Sequence, residues 1–271
     1  MPGRTLPRGG PDAPIGVFDS GVGGLTVVRE VRALLPQEDI YYFADTAHCP
    51  YGDRPLAEVM ELAAQVTEHL LEHGAKLIVV ACNTASGAAL QALRQRYPAV
   101  PFVGMVPAIK PACRLSPSGR VGVLATALTV QADLFSDVVH RFARDCRLTI
   151  QTCPGLAETI ERGELSGERV LALLREYLAP LKAARVDVCV LGCTHYPLIR
   201  PLIEQELGPA VQVVESGAAV ARQVERVLHE RGLVAPHGRP GTFILAGSGD
   251  LNVVRRLAAE LALLDPSFSR R

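Results

Sequence analysis

The chain has 271 residues, enough for one large domain or two of about 100–150 residues. It carries 28 basic and 28 acidic side chains, so no electrostatic footprint for nucleic acid or an anionic membrane surface is present. No apolar run approaches the roughly 18 residues of a membrane span, and the seven cysteines, an odd number without disulfide-framework spacing, read as free thiols of a cytoplasmic protein.

Residues 1–13 are rich in Pro, Gly and Arg, lack the apolar stretch of a signal peptide, and are expected to form a disordered tail. Strand-like runs then alternate with helical patterns. Strands are expected at Ile15–Phe18, Ile40–Phe43, Leu77–Ala81, Phe102–Gly104, Val121–Leu124, Leu148–Gln151, Val188–Leu191, Val211–Val214 and Thr242–Leu245. Amphipathic helices are expected at Leu25–Leu35, Pro55–His73 (stopped by Gly74), Ser86–Tyr97 and Glu168–Leu181. This order is that of an α/β protein with mainly parallel sheets. The halves also resemble each other. Gly16-Val17-Phe18-Asp19-Ser20 matches Gly122-Val123-Leu124-Ala125-Thr126, and the run ending at Cys82 matches the run ending at Cys193. Two pseudo-symmetric three-layer α/β domains are therefore expected, with the site in the cleft between them. The Pro-rich stretch Pro107–Pro117 marks the crossing and Val214–Gly217 the return. The first domain then comprises 14–106 and 215–271, and the second 107–214.

Candidate chemistry follows the strand ends, where open α/β sheets bind ligands. Asp19-Ser20-Gly21-Val22-Gly23-Gly24 opens a helix, and its amides are placed to cradle a carboxylate or phosphate. The dinucleotide fingerprint needs glycine at position 26, which is Thr26. The segment Tyr41–Gly52 is polar and aromatic, as substrate loops are, although a plain surface loop has the same composition. Cys82 is followed by Asn83-Thr84-Ala85-Ser86, which can cap the next helix, whose dipole favours a thiolate. Cys193 is followed by Thr194-His195-Tyr196-Pro197, with a helix-starting proline and a histidine within reach for acid–base assistance. One strand-end cysteine alone reads as an inert core residue. Two in equivalent places read as a pair, one thiol on each face of a substrate carbon. Cys113, Cys146, Cys153 and Cys189 read as structural, and Cys49 is undecided. Cys189 and Cys193 cannot share a metal, since residues four apart on a strand are about 13 Å apart. No metal is expected. A pyridoxal enzyme needs a Schiff-base lysine, and Lys76, Lys110 and Lys182 are not at strand ends beside these motifs. No Cys-x-x-Cys supports a thiol–disulfide oxidoreductase.

The segments GVFDSGVGGLTV (16–27), YYFADTAHCPYG (41–52), VVACNTAS (79–86), GVLATALTV (122–130) and LGCTHYPLI (191–199) together resemble the glutamate racemases, a cofactor-independent family within the aspartate/glutamate racemase superfamily. The resemblance covers nearly the whole chain after the tail. It implies interconversion of L- and D-glutamate, supply of D-glutamate for peptidoglycan, and no cofactor. Cys82 and Cys193 are then the acid/base thiols, with Asp19 assisting Cys82 and His195 assisting Cys193. Glu161 lies near the site, reached by counting from Cys153-Pro154. Substrate contacts are expected from Asp19, Ser20, Pro50, Tyr51, Gly52, Asn83, Thr84, Thr126, Thr194 and His195. Ala44 stands where glycine is frequent, and Glu215-Ser216 where Asp-Ser is usual, which puts a hinge-side contact in doubt. The expected partners are glutamate and a second copy of the chain as a homodimer. A racemase acting on aspartate or hydantoins, or a racemase-fold protein that only binds a macromolecule, remain the alternatives. The balanced charge and the intact cysteine pair speak against the latter.

Overall fold

The computed structural model describes residues 9–236 and 238–264. Nine strands are present among them: β1 (Ile15–Asp19), β2 (Ile40–Ala44), β3 (Leu77–Val80), β4 (Phe102–Val103), β5 (Arg120–Ala125), β6 (Arg147–Thr152), β7 (Val188–Gly192), β8 (Gln212–Val214) and β9 (Phe243–Gly247). They form two sheets, ordered β4-β3-β1-β2-β9 and β6-β5-β7-β8, with every pairing parallel. Read from the other edge, the second sheet runs β8-β7-β5-β6, the order of the first four strands of the first sheet. β1 therefore corresponds to β5 and β3 to β7. β9 is an added edge strand from late in the chain.

Side-chain alternation along the strands builds the layers. Ile15, Val17, Tyr42, Leu77 and Val79 face one way and pack with Val27, Val28 and Val31 of the helix Leu25–Leu34 and Val220, Val224 and Leu228 of the helix Gly217–Arg231. Phe18, Tyr41, Phe43, Ile78 and Val80 face the other way, against the helices Leu56–Glu72 and Asn83–Arg96. The second sheet repeats the plan. Val121, Val123, Val188 and Val190 pack against the helices Ile109–Leu115 and Asp133–Phe142. Leu124, Cys189 and Leu191 face the helix Glu168–Ala183, in the same continuous core that fills one side of the first sheet. Each sheet is thus sandwiched between helices.

All nine expected strands are present, with ends displaced by one or two residues. Two departures have physical causes. The helix expected from Ser86 begins at Asn83, because the Cys82 sulfur itself takes the amide hydrogen of Ala85 at 3.4 Å and caps it. After Cys193 only a 3₁₀ turn, Tyr196–Ile199, intervenes before the helix Arg200–Leu207, so Cys193 is not at the dipole of a long helix as Cys82 is. Of the segment read as a disordered tail, residues 1–8 lie outside the described residues. Residues 9–13 are instead anchored: Ala13 donates its amide to Gly10 O, and Lys76 Nζ donates to Pro11 O at 2.5 Å. Lys76 also forms a fully buried ion pair with Glu38 at 2.5 Å, and Glu38 accepts the Ala235 amide. One buried charge pair thus joins four separate stretches of chain.

Candidate active site

The carboxyl ends of β1, β3, β5 and β7 converge on one pocket. It is lined by Ser20 after β1; Pro50, Tyr51 and Gly52 from the loop after β2; Cys82, Asn83 and Thr84 after β3; Thr126 after β5; and Cys193, Thr194 and His195 after β7. Every sequence-derived site residue except Asp19 and Glu161 lines it, together with Ala157, which carries no sequence signal. The thiols of Cys82 and Cys193 are both buried, and each enters from a different sheet. An adjoining cavity shares Pro50, Gly52, Thr126 and Ala157 and adds Asp53 and Glu158.

Asp19 lies just beneath the pocket and is wholly buried. Its Oδ1 accepts the Gly21 amide at 2.7 Å and the Ser20 hydroxyl at 3.3 Å, while Oδ2 accepts the Thr194 hydroxyl at 2.8 Å. Burial pushes its carboxyl up to about 6, against the pull of His195, the Gly21 amide and Thr194. Asp19 therefore makes its hydrogen bonds toward the Cys193 side and reaches Cys82 only through its charge. Burial, and next the Asp19 charge, push the Cys82 thiol up to about 12.

His195 places Nδ1 3.8 Å from Cys193 Sγ and Nε2 2.7 Å from Glu161 Oε2. Burial disfavours a charged ring, but its contacts with Cys193, Cys49 and Glu161 outweigh that and hold its pKa well above the ordinary histidine value. Burial likewise opposes the Glu161 carboxylate, yet the His195 hydrogen bond and charge bring its pKa below the usual range. Glu161 Oε2 also takes the Val22 amide at 2.9 Å. The amides after β1 thus serve the protein's own carboxylates, Gly21 for Asp19 and Val22 for Glu161, and not an incoming anion as their sequence allows. Glycine is required there: a Cβ on Gly21 would run into the Glu161 carboxylate, and one on Gly23 into Thr194 Oγ1 and His195 Nδ1.

Three further arrangements are not legible in the sequence. Thr84, Thr126 and Thr129 close a ring of hydroxyls at 2.8 to 3.2 Å, bridging the first sheet's helix to the second sheet's strand end. Thr126 caps the short helix Ala127–Gln131 by accepting from the Thr129 amide, and this three-residue spacing is the one signal the sequence held. Asp45, buried, accepts from the Tyr51 hydroxyl at 2.5 Å and the Ser248 hydroxyl at 2.5 Å and bonds His48 Nδ1 at 2.8 Å, so it sets the loop that carries Pro50, Tyr51 and Gly52. Asn83 is the opposite case. Both polar atoms of its buried side chain lack a partner within the protein, and the residue lines the pocket that holds both thiols. Such a group needs a ligand or water to complete it. Cys49 lies 4.0 Å from both Ser20 Oγ and His195 Nε2, and it forms with His195 and Glu161 a three-donor cluster that no sequence spacing announced.

Comparison with known proteins agrees with this geometry. Residues 25–224 match the model of the Asp/Glu/Hydantoin racemase family, and the chain belongs to that family. It is 48% identical to the glutamate racemase of Ectopseudomonas mendocina over 252 residues, 93% of this chain and 94% of that protein. It is 49% identical to that of Roseiflexus over 249 residues, 90% of this chain and 92% of that protein. Among solved structures, Escherichia coli glutamate racemase in complex with L-glutamate and the activator UDP-MurNAc-ala superimposes with a TM-score of 0.80 at 36% identity, covering 92% of this chain and 94% of that one. Francisella tularensis glutamate racemase in complex with D-glutamate gives 0.81 at 28% identity, covering 94% and 96%. No helix of the described residues is long and apolar enough to cross a membrane.

Proposed function

We propose that this chain is an isomerase that interconverts L- and D-glutamate by two-thiol proton transfer at Cα, without an added cofactor, supplying D-glutamate for peptidoglycan. The observation that carries the reading is the pair of buried thiols, Cys82 and Cys193, entering one pocket from equivalent strand ends of two duplicated units. Relatives about half identical over most of the chain are glutamate racemases, and similar structures hold one enantiomer or the other. The units are 14–106 with 215–271, and 107–214, a division supported by the strand membership of the two sheets.

The difficulty of the reaction is the weak acidity of Cα–H. One thiolate takes this proton from one face while the opposite thiol delivers a different proton to the other, leaving the inverted amino acid and the two sulfurs with exchanged protonation. In the free protein the Cys82 thiol stays protonated, since burial and Asp19 hold it near 12. The ammonium group of an entering amino acid brings positive charge into the same enclosed space and favours the thiolate. On the other face, protonated His195 stands beside Cys193, its charge stabilised by the Glu161 carboxylate, so it supplies and recovers the proton there. Asn83, with unpaired donors and acceptor, and the Thr84 hydroxyl meet the α-carboxylate, onto which charge moves as the proton leaves, while Ser20 and Thr194, whose hydroxyls donate to Asp19, line the same pocket. Pro50, Tyr51, Gly52 and Thr126 enclose the remainder of the substrate. Holding both sulfurs against Cα makes each transfer intramolecular, which is worth several kcal/mol of barrier. Because the thiols interact, they titrate as a pair. The reading includes a homodimer in the cytoplasm, and sedimentation of the purified chain checks its mass.

Cys82→Ser and Cys193→Ser test the assignment. Each should abolish racemisation while glutamate binding, measured calorimetrically, stays within about tenfold, since the carboxylate contacts remain. Full activity in either variant overturns the two-thiol mechanism. Turnover on aspartate that exceeds turnover on glutamate overturns the choice of substrate.

A further inference from the structure

Cys49 stands beside His195 but exchanges no proton with the substrate carbon in the mechanism above. Its sulfur lies 4.0 Å from His195 Nε2, and the same nitrogen lies 2.7 Å from Glu161 Oε2. The three donor atoms lie within 4.8 Å of one another. They arrive from three places in the chain: the loop after β2, the end of the helix Leu156–Glu161, and the segment after β7. We propose that Cys49, His195 and Glu161 form a binding site for a soft divalent cation, zinc in particular, whose occupation switches the enzyme off.

The geometry needs little change. In a tetrahedral zinc site with bonds of about 2.0 to 2.3 Å, donor atoms sit about 3.3 to 3.6 Å apart. The nitrogen–oxygen distance must open by somewhat over half an ångström and the nitrogen–sulfur distance close by slightly less, on the order of ordinary side-chain adjustments. Thiolate, imidazole and carboxylate together select zinc over magnesium or calcium, which require an all-oxygen shell. Supporting contacts are already in place. Val22 donates its amide to the same Glu161 oxygen that meets His195, and His195 Nδ1 faces Cys193, so both ligand side chains are held in place. The fourth position opens toward Ser20, whose hydroxyl is 4.0 Å from the Cys49 sulfur, and takes a water or a substrate carboxylate.

Binding is a proton exchange with no redox change. The S–H bond of Cys49 breaks, its proton goes to solvent, and a sulfur–zinc bond forms. The N–H bond at His195 Nε2 also breaks, its proton going to solvent, so that the Nε2 lone pair and the Glu161 carboxylate both bind the metal. With Nε2 on the metal, the Glu161 carboxylate no longer stabilises a charged His195 ring, and proton traffic with Cys193 stops.

The test uses the full chain, washed with EDTA and titrated with ZnCl₂ or CoCl₂ alone. One equivalent of zinc should bind. Cobalt should give the near-ultraviolet sulfur-to-metal charge-transfer band, and racemase activity should fall along the zinc binding curve and return with EDTA. Cys49→Val should lose the cobalt band and bind zinc at least about tenfold more weakly, with Cys49→Ser as a second variant and circular dichroism to verify folding. Each variant's inhibition is compared with its own metal-free rate. Cys82→Ser and Cys193→Ser should keep the band. A band unchanged in both Cys49 variants, or lost in the Cys82 or Cys193 variant instead, overturns the proposal and assigns any metal to the acid–base thiols. Absence of binding by the unaltered chain overturns it outright. These readouts do not depend on the identity of the amino-acid substrate.

Discussion

Asp19→Asn should make the protein more stable and the enzyme far slower. The carboxylate is wholly buried, and its value rises from the ordinary 3.8 to about 6 because burial outweighs its hydrogen bonds and the nearby His195. At about 1.4 kcal/mol for each tenfold change in proton affinity, the charged form disfavours folding by about 3 kcal/mol at pH 8. The sign follows from the direction of the rise. The folded state holds the proton more tightly than the unfolded chain, so this group's contribution is fully present below about pH 4 and is lost as pH rises through about 6. Asparagine keeps the shape: its oxygen accepts from Gly21, and its amide donates to the Thr194 hydroxyl, which reverses its hydrogen. Urea unfolding should therefore show a gain of up to about 3 kcal/mol at pH 8, about half that at pH 5, and under about 1 kcal/mol at pH 4. Racemisation should fall by at least about a hundredfold, the usual scale of a lost acid–base partner, since asparagine cannot take up the proton that Cys82 gives up. A variant less stable than the parent at pH 8, or a stability difference that does not change with pH, refutes the reasoning.

The buried Lys76–Glu38 pair gives the opposite expectation. Lys76→Met leaves Glu38 charged and alone, and should lose about 3 to 5 kcal/mol in urea unfolding at pH 7; a loss below about 1 kcal/mol would mean that water already reaches the pair. Thr129→Val removes one hydroxyl from the Thr84–Thr126–Thr129 ring without changing its volume. It should cost about 1 kcal/mol of stability and raise KM more than it lowers kcat, because Thr84 loses part of its orientation; steady-state kinetics showing the reverse split would contradict this.

The α/β class and the strand ends were legible because period-two and period-3.6 patterns are local. Val79-Val80-Ala81-Cys82 and Val190-Leu191-Gly192-Cys193 carry the pocket's two walls on their face. The duplication was visible at Gly16 and Gly122 for the same reason, although the identical strand order of the two sheets is a tertiary fact. Partner assignments were less legible. Asp19 ends β1, and the resemblance pairs it with Cys82, but its second oxygen is taken by Thr194, far away in sequence. The amides of Gly21 and Val22 look free in sequence, and only folding brings Asp19 and Glu161 onto them. Glu161 could be located by counting along a motif, whereas Cys49 could not be assigned at all. Its neighbours His195 and Glu161 arrive through two separate crossovers. Residues 9–13 read as tail because their composition is that of a tail. Their order comes from Lys76, whose ammonium is already buried against Glu38 and takes the Pro11 carbonyl as a further acceptor.

Racemisation of L-glutamate in D₂O, with no cofactor added, tests the two-thiol account most directly. Each inversion should place one solvent deuteron at Cα of the D-glutamate formed, and both Cys82→Ser and Cys193→Ser should stop inversion. Product that retains its original Cα hydrogen through many turnovers would contradict proton exchange through two separate thiols.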